Sequence, residues 1–184
     1  ELIEQGYLVP CKAYQMVSKI EGLKKQNGDF TPASMMQFYD KSSLYDGLID
    51  GYLKHAKGKK TLIFNCNIEH SDKTSESFNM NGIACKSLTS KNTIQERFDI
   101  LNWFENTEDA VLCNAGILTA GYDHPPIECI IINRATMSLP LWLQMVGRGS
   151  RLSNGKERFV LLDFGANHER HGLWQMARTW ELEA

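Results

Sequence analysis

The sequence predicts an α/β fold built on a central, mostly parallel sheet. Three observations carry this: short apolar β-type runs recur from Thr61 onward, helical patterns separate them, and the runs are continuously apolar instead of alternating. Strands that are apolar on both faces are what a sheet sandwiched by helices needs. The 184 residues fit one domain with a sizeable core, and 42% hydrophobic with 23% charged residues is ordinary globular composition.

Thr61–Cys66 (TLIFNC) reads as the first strong strand, with a helix expected across Ser71–Asn81 and a second strand over Ile83–Leu88. Thr93 followed three residues later by Glu96 has the form of a capping box, opening a helix with Ile94, Phe98, Leu101 and Phe104 or Ile100 on its apolar side. Ala110–Cys113 and Cys129–Asn133 (CIIIN) are the next strands. A helix then opens at Ser138 or Leu139, tolerates Pro140 in its first turn, and runs to about Gly147. Phe159–Asp163 (FVLLD) is the last strand. Before residue 60 the pattern is less regular: a possible strand at Tyr7–Val9, helices near Met35–Phe38 and Leu44–Leu53, a turn at Gly28-Asp-Phe-Thr-Pro, and a solvated basic turn at Lys57–Lys60.

Net charge is −2, which announces no general polyanion binder. Charge is nonetheless segregated: residues 101–132 carry five acids and no Lys or Arg, whereas 134–158 carry Arg134, Arg148, Arg151, Lys156 and Arg158 against Glu157 alone. A local field matters more than the total for capturing a phosphate. The five cysteines lack any C-x-x-C spacing and mostly sit in apolar runs, which reads as reduced core residues of a cytoplasmic protein. His168-x-x-His171 has loose ligand spacing without a cysteine pair, and no metal site is expected. No apolar stretch approaches a membrane span, so no membrane partner is expected. The chain opens without Met in mid-element sequence and is expected to be part of something longer.

Chemistry concentrates in Gln144-Met-Val-Gly147-Arg148-Gly-Ser-Arg151. Two guanidiniums three residues apart suit a polyphosphate, because each stays charged and donates bidentately to phosphate oxygens. Gln144, Arg148 and Arg151 would share one helix face if the helix continued that far. In parallel sheets ligands gather at the carboxyl ends of the strands, which brings forward Asn65, Asn67, Thr89, Ser90, Asn114, Arg134 and the Asp163–Asn167 turn. Gly121 permits a tight turn or close backbone approach, and Asp123 is a carboxylate two residues on. Trp103 and Trp142 fit helix apolar faces and read as core.

Three segments together resemble the second RecA-like domain of superfamily 2 helicases and translocases. TLIFNCNIEHS is similar to their motif IV, VLCNAGILTAGYDHP to motif V and QMVGRGSR to motif VI, in the family's order, over about residues 58–172. The phrases LTAGYDHP, RATMSLPLWLQMVGRGSR and LLDFGANHERHG most resemble phage and bacterial DEXH-type DNA helicases related to type I restriction motor subunits and excision-repair helicases. The resemblance implies a RecA-like, P-loop NTPase type three-layer sandwich. Residues 1–57 would lead in from a first motor domain, 58–172 form the helicase C-terminal domain, and 173–184 a tail.

By the same resemblance Arg148 and Arg151 face the ATP γ-phosphate, Arg151 as arginine finger, while Gln144 bridges to the nucleotide or the partner domain. Gly121 and Asp123 join the nucleotide site, Asp123 accepting from ribose hydroxyls. Asn65, Asn67, Thr89, Ser90 and Asn114 fall where relatives touch the backbone of a nucleic-acid strand, expected to be DNA. Asn114 departs from the threonine common there, and Thr119 would take part of that role.

The chain has no G-x-x-x-x-G-K-[ST] loop and no Asp-Glu-x-Asp/His box. The phosphate cradle, the ligands of Mg²⁺ and the water-activating glutamate are therefore expected on the N-terminal RecA-like domain. The expected function is half of a composite ATP hydrolase site in a helicase or translocase, inactive alone. The rival reading is an ATP-independent nucleic-acid-binding or scaffold module that keeps the fold.

Overall fold

The computed structural model describes residues 2–17, 19–118 and 122–178. Its core is a six-stranded sheet in which every pairing is parallel. The strands are β1 (Cys11–Gln15), β4 (Thr61–Asn65), β5 (Cys85–Leu88), β6 (Val111–Asn114), β7 (Cys129–Asn133) and β8 (Phe159–Asp163), in the order β1-β8-β7-β4-β6-β5. A separate antiparallel hairpin joins β2 (Lys25–Gln26) to β3 (Asp29–Phe30). Asn27 and Gly28 turn it, both with positive φ (51° and 83°), the pairing that suits a two-residue hairpin loop.

The helices are α1 (Pro32–Tyr39), α2 (Ser42–His55), α3 (Ile68–Met80), α4 (Ile94–Asn106), α5 (Leu139–Gly147) and α6 (Asn167–His171). Successive residues of each central strand point to opposite faces, so the continuous apolar runs divide into two cores. Ile63, Val111, Cys113, Ile131 and Leu162 pack with Met35, Tyr39, Leu48, Tyr52 and Phe78 from α1, α2 and α3. Leu62, Phe64, Leu112, Ile130, Ile132 and Leu161 pack with Phe104, Trp142, Met145 and Val146 from α4 and α5. This is the three-layer arrangement of RecA-like domains.

Local chemistry explains the boundaries. The capping box forms, with the Thr93 hydroxyl accepting from the Glu96 N–H and the Glu96 carboxylate accepting from the Thr93 N–H. Ser138 caps α5 by accepting from the Leu141 N–H, and Pro140 lies in the first turn. Helix α3 starts three residues before the expected Ser71, because the Asn67 side chain caps it by accepting from the His70 N–H at 2.7 Å.

Four expectations are corrected. Tyr7–Val9 is not a strand; the edge strand is Cys11–Gln15, whose half-polar sequence carries little β signal because an edge strand with one covered face needs no continuous apolar run. Ile94 and Phe98 do not lie on the buried side of α4 but are 89% and 64% exposed, while Phe104 is fully buried. Lys60 is not part of a solvated turn: it is buried, and its Nζ donates to the carbonyls of Phe104 and, at 2.7 Å, Thr107, closing the carboxyl end of α4. Cys11 is only half-buried, unlike the other four cysteines. Burial pushes the thiols of Cys66 and Cys129 up to about 12, which keeps them protonated. No helix among the described residues is long and apolar enough to cross a membrane.

Candidate functional site

Helix α5 begins beside the carboxyl end of β7 and runs back toward the amino ends of β7 and β8. At its end Gly149 lies against Ile130 and Phe159; a β-carbon there would come within 2.8 Å of Ile130 Cγ1 and 2.7 Å of Phe159 Cε2. The glycine after Arg148 is thus a packing requirement. The helix closes at Gly147 with Arg148 as its C-cap, and tight turns continue through Gly149 and Ser150, whose N–H groups donate to the carbonyls of Val146 and Gly147. Helical geometry therefore does not extend to Arg151. Gln144, Arg148 and Arg151 nonetheless line one cleft of about 290 Å³, with Leu8, Leu143, Gly147, Ser150 and Trp174.

The charge balance of this cleft is uneven. Arg151 Nε lies 3.4 Å from Asp123 Oδ1, both side chains being about half exposed. Arg148 donates to the backbone carbonyl of Tyr122. Burial lowers the Arg148 pKa from its usual value, the nearby Asp123 raises it and Arg151 lowers it. Asp123 thus acts on both guanidiniums, and a polyanion would relieve both the burial cost and the mutual repulsion. The donor set fits a phosphate group. Gly121, expected beside it, and Thr119, expected at the nucleic-acid strand, lie outside the described residues.

The rule that ligands gather at strand carboxyl ends does not locate these arginines, which sit at the amino edge. The residues it brought forward occupy the opposite edge, and most of them are buried, the Asp163–Asn167 turn included. Asn65 is 1% exposed, and its Oδ1 accepts from Asn133 Nδ2 at 2.9 Å and from the Thr74 hydroxyl at 3.1 Å. Asn114 is fully buried, donating to the Ile63 carbonyl at 2.9 Å. Thr89 is 3% exposed, its N–H donating to Asn92 Oδ1. These side chains are structural. Asn67 is partly exposed and Ser90 exposed, which leaves them available at this edge.

Composition and spacing gave no hint that Asn133, Thr74 and His70 would be polar groups here. Beyond Asn133 and Thr74, His70 Nε2 lies 3.1 Å from Asn133 Nδ2, and burial pulls the His70 pKa down to about 4. Asp163 Oδ2 meets His168 Nδ1 at 2.8 Å, while His171 Nε2 lies 2.9 Å from the Thr136 carbonyl, so the two histidines serve different partners. Trp174, in the segment read from the sequence as a tail, walls the arginine cleft. A tryptophan in a supposed tail was the one signal that could have suggested this.

The family described as the helicase conserved C-terminal domain matches residues 41–153. The chain belongs to this family. A Saccharomyces cerevisiae protein named "Putative ATP-dependent helicase IRC3" is 32% identical over 170 residues, covering 89% of this chain and 24% of the yeast protein. A 51.5 kDa protein of a Lactococcus phage is 29% identical, covering 98% of this chain and 40% of its own length. The chain thus spans about a quarter to two-fifths of these curated relatives. Among solved structures, a fragment from Vibrio vulnificus described as an HsdR subunit of a type I restriction enzyme superposes with a TM-score of 0.77 at 22% identity, covering 95% of this chain and 35% of that one. The C-terminal domain of the DEAD-box protein Dbp5 superposes at 0.58 with 15% identity, covering 71% and 75%. These likenesses fix the fold of this helicase C-terminal domain as RecA-like.

Proposed function

We propose that this helicase C-terminal domain is the second motor domain of an ATP-dependent DNA helicase or translocase of the cytoplasm. In this reading residues 1–57 lead in from the first motor domain, 58–172 form the second and 173–184 a tail. The observation that supports it is the cleft lined by both Arg148 and Arg151, with Asp123 paired to Arg151 beside it. Arg151, the more exposed, is the arginine finger: it exchanges Asp123 for the transferred phosphoryl group and stabilises the charge that develops there. Arg148, held by the Tyr122 carbonyl, contributes a fixed positive charge, and Gln144 a hydrogen-bonding amide beside it. Gly121 and Asp123 complete the nucleotide side. Mg²⁺ would be bound by carboxylates of the first domain. At the opposite edge Asn67 and Ser90 meet the phosphate backbone of a strand, where short polar groups position without reading sequence, and Thr119 is proposed to share that role.

Closure of the two domains around ATP and release after hydrolysis would then move the strand, a hinge transition of the usual kind. The isolated chain should turn over no ATP. In the full-length protein, Arg151→Ala should lower DNA-stimulated turnover about a thousandfold, the low end for loss of an arginine finger. Unchanged stimulated turnover would sink the assignment. If neither DNA nor RNA stimulates the wild type, the scaffold reading takes its place; stronger stimulation by RNA would replace DNA as the partner.

A further inference from the structure

Thr136, fully buried in the β7–α5 connection, uses every polar group it has. Its N–H donates to Asn167 Oδ1 at 2.9 Å, and its carbonyl accepts from Arg170 Nε at 3.2 Å with His171 Nε2 at 2.9 Å. Its hydroxyl donates to Asp29 Oδ2 at 2.8 Å and accepts from the Ser138 N–H at 3.0 Å. Asp29 Oδ1 also accepts from the Met137 N–H at 2.7 Å. Next to it, Asn167 Nδ2 donates to the Arg134 carbonyl at 2.9 Å. The connection that launches α5 is therefore bracketed from two sides. Helix α6 holds it from within the fold, and the β2–β3 hairpin holds it from outside through the 28%-exposed Asp29.

Helix α5 is nine residues long, roughly 13 Å at the usual helical rise, and spans the sheet from this bracket to the arginine cleft. Its Trp142, Met145 and Val146 are fully buried, so the helix moves as one packed piece. We infer that Asp29 is a positioning residue for Arg148 and Arg151, setting the start of α5 through Thr136 and Met137 and so the place of the arginines at its far end. The hairpin belongs to the segment preceding the first central strand, which makes a change there felt at the opposite edge. The inference rests on the reading of Arg151 given above. Phosphoryl transfer is sensitive to displacements of about 1 Å, so loss of this tether falls on turnover more than on nucleotide binding.

The test uses the full-length protein with DNA and follows single-turnover and steady-state ATP hydrolysis, with circular dichroism confirming the fold of each variant. Asp29→Ala should lower kcat about tenfold while KM for ATP stays within about twofold. Asp29→Asn, whose amide can still meet both Thr136 and Met137, should keep at least about half of kcat. The deciding arm is the pair: Asp29→Ala added to Arg151→Ala should cost clearly less than the roughly tenfold it costs alone, because only Arg148 is then left to position. An equal loss in both backgrounds, or unchanged kcat in a folded Asp29→Ala protein, overturns the inference. If Arg151→Ala alone keeps full turnover, the finger reading fails at an arm that does not involve Asp29, and this inference falls with it.

Discussion

Arg151 and Asp123 face each other at 3.4 Å with both side chains about half open to water. An exposed pair of this kind is worth at most about 1 kcal/mol, since water screens it and both side chains lose freedom in holding it. The weakness suits a side chain that must change partners. Asp123→Asn should shift the unfolding free energy by less than about 1 kcal/mol in urea denaturation. A larger loss would mean that the pair holds the fold together and is not free to part.

Gly149→Ala should destabilise the domain by about 1–3 kcal/mol, the usual cost of overpacking. The added methyl would press on the Phe159 ring and on Ile130, both fully buried and fixed in the sheet. Gly147→Ala, where nothing lies within 4 Å of the added carbon, serves as the control and should leave the urea midpoint nearly unchanged.

His70 gives the fold an acid sensitivity. Burial holds its pKa near 4 against 6.5 in the unfolded chain, so the folded state keeps it neutral. The unfolded chain binds the extra proton between these values, and stability present in full above pH 6.5 is lost as the pH falls toward 4. The loss amounts to about 3 kcal/mol over that window. Denaturant titrations of wild type and His70→Gln from pH 7 to 4.5 check this: the variant should be less stable at neutral pH and show a flatter dependence. Parallel curves would exclude His70 as the source.

Lys60→Met should cost about 2–3 kcal/mol, as expected when hydrogen bonds from a charged donor are lost and buried acceptors are stranded. The ammonium group ties down the Phe104 and Thr107 carbonyls and lies 4.9 Å from the centre of the Phe104 ring. Amide hydrogen exchange should then show α4 fraying from its carboxyl end, whereas a uniform loss of protection would point to a different origin.

Most strands legible in the sequence were buried on both faces, the half-exposed edge strand β5 being the exception. Runs such as TLIFN, CIIIN and FVLLD have no alternative use in water, and the capping signals at Thr93 and Ser138 are chemically local. Edge strand β1 and the exposed face of α4 were not legible, because their residues answer to one neighbour or to none. In the candidate site Gln144, Arg148 and Arg151 do line one cleft, but not through the shared helix face that their spacing suggested. The helix ends at Gly147, and it is the turn through Gly149 that brings Arg151 to the cleft.

By itself, then, the sequence determined the layered parallel sheet and the pair of arginines that follows the helix after β7, since both depend on residue type and short-range order. Tertiary structure alone decided that these arginines stand at the amino edge, that Asn65 and Asn114 are buried struts, and that Asp29 grips Thr136 across more than a hundred residues of chain. Such contacts join polar groups far apart in sequence, and nothing in the local pattern of either partner specifies where the other will be.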